Sequence, residues 1–282
     1  MSLTYHRPKT LPEAVELART ADIALAGGAL TFGGLDVPYS SFVDLQDVPE
    51  LNRFDVGEHR AIIGSNIMLS ELLKIEWLPS AMRRALTRAI PPNILNRTSV
   101  GESFKQHDHP LLREWMAVCT TIEVQIQRSP VLPNQIPWMN ARAIMNADDV
   151  ETSFLTCFVF SRRQENEHLV GLAHVSRTPT DAAIVCVSAP VHVSSNGSNK
   201  IILPGSMMLA GVSSQTFIDI RVEDYGNHIP LLSDVISSYQ HAIDEQIESY
   251  SDHIASANYR RAMAKVCAKR ALMDCAAQLG LT

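Results

Sequence analysis

Two glycine-bearing segments carry the residue types from which the most specific chemistry can be argued. The first is Leu25-Ala26-Gly27-Gly28-Ala29-Leu30, directly after a short apolar run, and the second is Asn96-Arg97-Thr98-Ser99-Val100-Gly101-Glu102-Ser103. Glycine has no Cβ and tolerates positive φ, so backbone can turn its N–H groups toward one anion and approach it closely. Either segment alone reads most simply as a strand-end turn, because Gly-Gly is common punctuation. Neither fits G-x-G-x-x-G at a helix start or G-x-x-x-x-G-K-[ST], which excludes the Rossmann and P-loop readings. If these turns hold phosphate, they do so in another fold.

The remaining polar constellations argue for less. His107-Asp108-His109 sets two imidazoles on one face of an extended strand, but no third ligand follows at a sensible spacing, so a solvated loop is the better reading. Asp148, Asp149 and Glu151 read as a turn and strand entry. His174 and His192 fall inside strand patterns as half-buried residues, and Arg83, Arg84 and Arg88 form a solvated basic helix face. No catalytic triad or carboxylate pair stands out.

Bulk properties narrow the class. The chain has 282 residues, enough for two domains with cores of their own. Hydrophobic residues make up 46% and charged residues 19%, which is the balance of a soluble globular protein. The net charge of −6, with both signs interleaved, argues against a nucleic-acid partner. No apolar run approaches the roughly 20 residues that cross a bilayer, and Met1 to Lys9 lacks the apolar region of a signal peptide. Cys119, Cys157, Cys186, Cys267 and Cys275 are scattered in apolar segments without a C-x-x-C, as expected of reduced buried thiols in a cytoplasmic protein without a metal or iron–sulfur cluster of its own.

The elements that must position the turns follow from periodicity. Thr10-Leu11-Pro12-Glu13 reads as a capped helix start, and the helix runs to about Thr20. Short strands are expected at Ile23–Leu25, Phe42–Leu45 and Ala61–Gly64, so the first sixty residues read as an α/β subdomain. Helices follow at Leu69–Leu73, Pro79–Ile90 and Pro110–Cys119, then a strand at Thr121–Gln127 and a looped crossing marked by Pro130, Pro133 and Pro137. From Phe154 onward Phe154–Phe160, Leu169–His174, Ala182–Ala189, Lys200–Leu203, Met207–Val212 and Phe217–Arg221 read as antiparallel strands joined by polar turns. Helices from Leu231 to about Tyr250 and from about Asn258 to Leu279 end the chain, and a boundary is placed near residues 150–165.

Taken in order, these landmarks resemble the FAD-binding medium subunit of the molybdenum hydroxylases, the carbon monoxide dehydrogenase and xanthine dehydrogenase family. Tyr5-His6-Arg7-Pro8-Lys9-Thr10-Leu11-Pro12-Glu13-Ala14 is similar to the family's aromatic-x-x-Pro-x-(Ser/Thr)-Leu-x-Glu-Ala opening. Leu25-Ala26-Gly27-Gly28, Phe42-Val43-Asp44-Leu45 and Ile62-Ile63-Gly64-Ser65 continue it. Ile94 through Phe104 resembles the second flavin loop, Ile-Arg-Asn-x-x-Thr-Ile-Gly-Gly-Asn-Leu. Arg177–Val185, Leu209-Ala210-Gly211-Val212, Ser256-Ala257-Asn258-Tyr259-Arg260-Arg261 and Lys269-Arg270-Ala271-Leu272 match later landmarks.

The resemblance implies an α+β chain. A two-subdomain, PCMH-like FAD-binding α/β domain would occupy residues 1–165, with subdomains about 1–60 and 61–165. A small antiparallel sheet with C-terminal helices would occupy 166–282. It implies FAD held by amides of Ala26, Gly27, Gly28, Ala29 and Leu30 on one side and of Ser99, Val100, Gly101, Glu102 and Ser103 on the other, with Asp108 in the place of a family aspartate. It implies partners, a molybdopterin-binding large subunit and a 2Fe–2S small subunit, and it is compatible with a homodimer. Electrons would pass from the iron–sulfur centres through FAD to an acceptor, with no catalytic residue on this chain.

The departures from the pattern sit on the two turns. Ala29 and Leu30 replace polar family residues, and the stretch to Pro38 is short. The family's Gly-Gly is Gly101-Glu102, its Asn is Ser103, and its Arg before the Asn is Leu95. A carboxylate about 4 Å from a phosphate, at an effective dielectric near 20, costs on the order of 4 kcal/mol. That is about a thousandfold in affinity, unless Glu102 turns away. Two readings follow: a divergent flavin subunit that binds through its backbone, or a member that has lost FAD and serves as a structural or assembly partner. A stand-alone FAD-dependent oxidase is a third, but it needs a larger substrate domain.

Overall fold

The computed structural model describes residues 4–18, 23–26, 41–78, 80–105, 121–127, 138–140, 154–162, 168–178, 181, 183–196, 199–214, 217–222 and 231–281. The chain divides into two compact units, which interleave in sequence. Unit 1 draws on residues 1–78, 90–106 and 121–162, and unit 2 on 79–89, 107–120 and 163–282. Helix and sheet are mixed in both.

Unit 1 opens with strand β1 (Thr4–His6), helix α1 (Leu11–Ala18) and strands β2 (Ile23–Ala26) and β3 (Ser41–Asp44). They form a parallel three-stranded sheet in the order β1-β3-β2. Thr10 caps α1 by accepting from Glu13 N–H at 3.4 Å. The Glu13 carboxylate closes the reciprocal bond on Lys9 N–H at 3.1 Å, one residue earlier than a standard capping box would place it. Ala14 and Val15 of α1 join Val43, Leu45, Val48, Leu51 and Phe154 in one buried cluster.

The second sheet of unit 1 runs β4-β5-β8-β6-β7, formed by β4 (Phe54–Val56), β5 (Arg60–Gly64), β6 (Thr121–Gln127), β7 (Trp138–Asn140) and β8 (Phe154–Ser161). Its pairings are antiparallel. Here the structure corrects the sequence grouping: β8 does not pair with the strands that follow it but lies between β5 and β6. The reason is burial. Residues 154–158 are buried without alternation, the pattern of a central strand covered on both faces rather than of a half-exposed meander strand. Short helices α2 (Leu69–Leu72), α4 (Pro92–Leu95) and α5 (Val100–Lys105) complete the unit, and the Phe104 ring tilts against Phe158 at 4.8 Å.

Unit 2 is built on an antiparallel sheet of β9 (His168–Val175), β10 (Val185–Asn196), β11 (Asn199–Pro204), β12 (Met207–Ala210) and β13 (Phe217–Ile220). The twelve-residue β10 is its spine. β9 pairs along residues 185–192, while β12 takes 186–188 and β11 takes 191–196. Helices α6 (Leu232–Gln246) and α7 (Ala257–Gln278) supply Val235, Tyr239, Ile243, Cys267, Ala271, Leu272 and Cys275 to the core beside Val185, Val187, Met207 and Leu209. Helix α3 (Ser80–Ala89) belongs to this unit. Its Arg84, read from the sequence as part of a solvated face, instead pairs with Asp274 of α7 at 2.9 Å.

Among the described residues Cys157, Cys186, Cys267 and Cys275 are buried thiols. Burial pushes the Cys267 thiol up to about 11 and the Cys275 thiol to about 12, so both are inert as nucleophiles. His174 is half-buried and its ionisation is lowered by desolvation, whereas His192 is exposed. No described helix is long and apolar enough to cross a membrane. Cys119, the triplet His107 to His109, the Pro110–Cys119 segment, Asp148, Asp149 and Glu151 lie outside the described residues.

Candidate functional site

The two turns of interest both belong to unit 1, and the chain connects their surroundings. The first leaves the C-terminal end of β2, where Ala26 pairs in register with Asp44 of β3. Asp44 is buried, accepts from Gln46 N–H at 2.9 Å and from the Tyr5 hydroxyl, and lies 3.8 Å from Arg7 Nε. The Asp44 hydrogen bond, with burial behind it, raises the Tyr5 phenol above its ordinary value. Gly27, Gly28, Ala29 and Leu30 lie outside the described residues, as does Asp108; of this group only the backbone of Ala26 is described.

From Asp44 the path to the second turn runs through Asn66. Its side-chain amide donates to Leu45 O at 2.8 Å and its backbone N–H to Leu51 O at 2.9 Å. The residues on either side of Asn66 receive the second turn: Val100 N–H donates to Ile67 O at 2.7 Å and Gly101 N–H to Ser65 O at 2.9 Å. Leu69 N–H donates to Thr98 O at 3.0 Å, and Met68 bridges Ser99. A run of short hydrogen bonds therefore ties the end of β3 to residues 98–101.

The second turn itself is a helix start. Val100–Lys105 is helical, and Ser99 and Glu102 complete a capping box. Glu102 N–H donates to Ser99 Oγ at 3.1 Å, and Ser99 N–H donates to Glu102 Oε2 at 3.4 Å. Ser103 N–H donates to Ser99 O at 3.0 Å, and its hydroxyl to Val100 O at 2.7 Å. Where the sequence reads as a glycine-bearing turn, residues 100–105 are helical and Ser99 is the cap. Ser-x-x-Glu is itself the sequence signal of a capped helix, and it could have been read as such.

Glycine at 101 has a local reason. Its φ is not in the left-handed region; a Cβ there would lie 2.8 Å from Ser65 Cβ and 3.0 Å from Ser65 O. What approaches Gly101 so closely is Ser65, through its Cβ and its carbonyl, not a space for a ligand.

A flavin dinucleotide is the cofactor that the sequence resemblance implies. A diphosphate carries only acceptors and needs donors. All five amides from Ser99 to Ser103 already donate within the chain. Ser99, Val100, Gly101 and Ser103 are buried, and the Glu102 carboxylate sits on the turn. Among the described residues around the turn, the buried polar atom without a partner is Asn66 Oδ1, another acceptor. These residues do not fit a diphosphate.

No protein-family model matches the chain, and no curated protein matches it significantly. Solved structures do match. A quinoline 2-oxidoreductase chain from Pseudomonas putida 86 superposes with a TM-score of 0.80 at 18% identity, covering 100% of this chain and 99% of that one. A carbon monoxide dehydrogenase chain from Hydrogenophaga pseudoflava, in a form lacking the Mo-pyranopterin moiety, gives 0.76 at 18% identity with 99% and 98% coverage. A chain of reconstituted carbon monoxide dehydrogenase from Oligotropha carboxidovorans gives 0.76 at 19% identity with 98% of both chains covered. From end to end, the chain has the fold of these quinoline 2-oxidoreductase and carbon monoxide dehydrogenase chains, as its ordered sequence landmarks lead one to expect.

Proposed function

We propose that this chain takes the position of the flavoprotein subunit in a multisubunit oxidoreductase of the molybdenum hydroxylase kind, beside a molybdopterin-binding large subunit and a 2Fe–2S small subunit. The observation that supports it is the likeness over whole chains, 100% of this one against 99% of the quinoline 2-oxidoreductase chain.

Within that position the fuller role is an FAD-binding electron carrier, with the dinucleotide between Ala26–Leu30 and Ser99–Ser103. A structural or assembly role is the second reading. The closed hydrogen-bonding of Ser99 to Ser103 favours the second, because it withholds the donors the first requires.

Affinity purification of the tagged full-length chain from its native source tests the assignment. Molybdenum and iron are expected to co-elute with it in stoichiometric amounts, together with a large and a small subunit identified by mass spectrometry. A metal-free chain eluting alone or as a homodimer would overturn it.

A further inference from the structure

We propose that the second turn is sealed against a dinucleotide diphosphate by the chain's own acceptors, so that this subunit holds no FAD as isolated. The choice of FAD as the group to exclude rests on the flavoprotein-position reading above.

Three observations carry the inference. The first is the assignment of every donor: Ser99 to Glu102 Oε2, Val100 to Ile67 O, Gly101 to Ser65 O, Glu102 to Ser99 Oγ and Ser103 to Ser99 O. Helix starts ordinarily leave their first N–H groups without intrahelical partners, and those are the groups that receive phosphate. Here the amides at the first three helical positions are engaged, two by the Ser65–Ile67 turn that follows β5 and one by the cap. The second is Glu102, whose carboxylate faces Ser99 N–H and would stand beside any phosphate brought to the same amide. The third is the tight seat of Gly101 on Ser65, which leaves the turn no slack to open without separating it from β5 and the following turn. A diphosphate would have to break several of these bonds and displace a like charge.

Two measurements on the full-length protein test this. Flavin is quantified in protein purified from a flavin-replete host, and amide hydrogen exchange is followed for a peptide spanning residues 97–104 with and without added FAD or inorganic pyrophosphate. The expected results are a colourless protein and a turn that is protected without ligand and unchanged by either probe. In Glu102→Ala the Ser99 amide is expected to exchange at least tenfold faster while FAD still fails to bind. Flavin near one per chain, or protection that arises only when FAD or pyrophosphate is added, would overturn the proposal. Neither outcome bears on whether molybdenum and iron subunits co-purify, so failure here is distinct from failure of the assembly assignment.

Discussion

Arg260 shows how much a single residue can do that spacing does not announce. In sequence it reads as part of a capped helix start, and Ser256 does cap α7 by accepting from Tyr259 N–H at 3.3 Å. Yet Arg260 is 2% exposed and spends its guanidinium on the fold. Nη1 donates to Ile184 O at 2.9 Å and Gly211 O at 2.6 Å, Nη2 donates to both Asp252 oxygens at 2.8 Å, and the group lies 4.4 Å from the Tyr250 ring centre. The planar fork is what lets one side chain tie three loops to its own helix, and Lys could not replace it. Ala255 N–H first, then Arg260, hold the Asp252 carboxyl at about 2, below its ordinary 3.8. A carboxyl whose folded value is depressed stabilises the fold fully above the unfolded value and loses that contribution as pH falls through the folded one. Melting temperature is therefore expected to fall between about pH 4 and pH 2. In Asp252→Asn that limb should flatten, with a lower plateau near neutrality. An unchanged limb would place the acid sensitivity elsewhere.

At the scale of elements, the contact between α7 and β9 fixes unit 2. Leu172 N–H donates to Asp274 Oδ2 at 3.3 Å, Gln278 Nε2 donates to Val170 O at 3.1 Å, and Arg84 of α3 reaches the same Asp274. Such closeness depends on Gly171, where a Cβ would sit 1.8 Å from Ala271 O and 2.8 Å from Cys275 Sγ. Backbone cannot yield as a side-chain tip can, so Gly171→Ala is expected at the upper end of overpacking penalties, about 3 kcal/mol. Chemical denaturation of the variant checks this; a loss under about 0.5 kcal/mol, the scale of a neutral surface change, would mean the helix shifts freely. Gly171 drew no attention in the sequence, because a lone glycine inside a strand pattern does not say what lies above it. The apolar stripe on α7 is more legible: Met263, Val266, Cys267 and Ala271 have the spacing of a core or interface face, and Cys267 and Ala271 are in the core with Met263 packed against it, while Val266 is half-buried.

At the scale of the whole molecule, the two units exchange segments, and unit 2 takes α3 from residues 79–89. Met82, Ala85 and Leu86 are buried, and α3 contributes the Arg84–Asp274 pair. A fragment of residues 163–282 should therefore be less stable than the same unit in the full chain and more readily cleaved by protease; equal resistance would show α3 to be dispensable. Local pattern sufficed for much of the rest. Capping residues, period-2 and period-3.6 apolar spacing and turn residues fixed most strands and helices to within a few positions, and the order of landmarks pointed to the fold before any partner of any strand was known. Choice of partner is different in kind, because hydrogen bonds between residues distant in sequence depend on three-dimensional register that no local pattern encodes. Tertiary structure alone put β8 between β5 and β6, turned Arg84 inward and set Ser65 against Gly101. It also decided that the Val100 and Gly101 donors are consumed by Ile67 and Ser65, since a backbone N–H is present at every such residue and only the assembled fold brings those carbonyls to it.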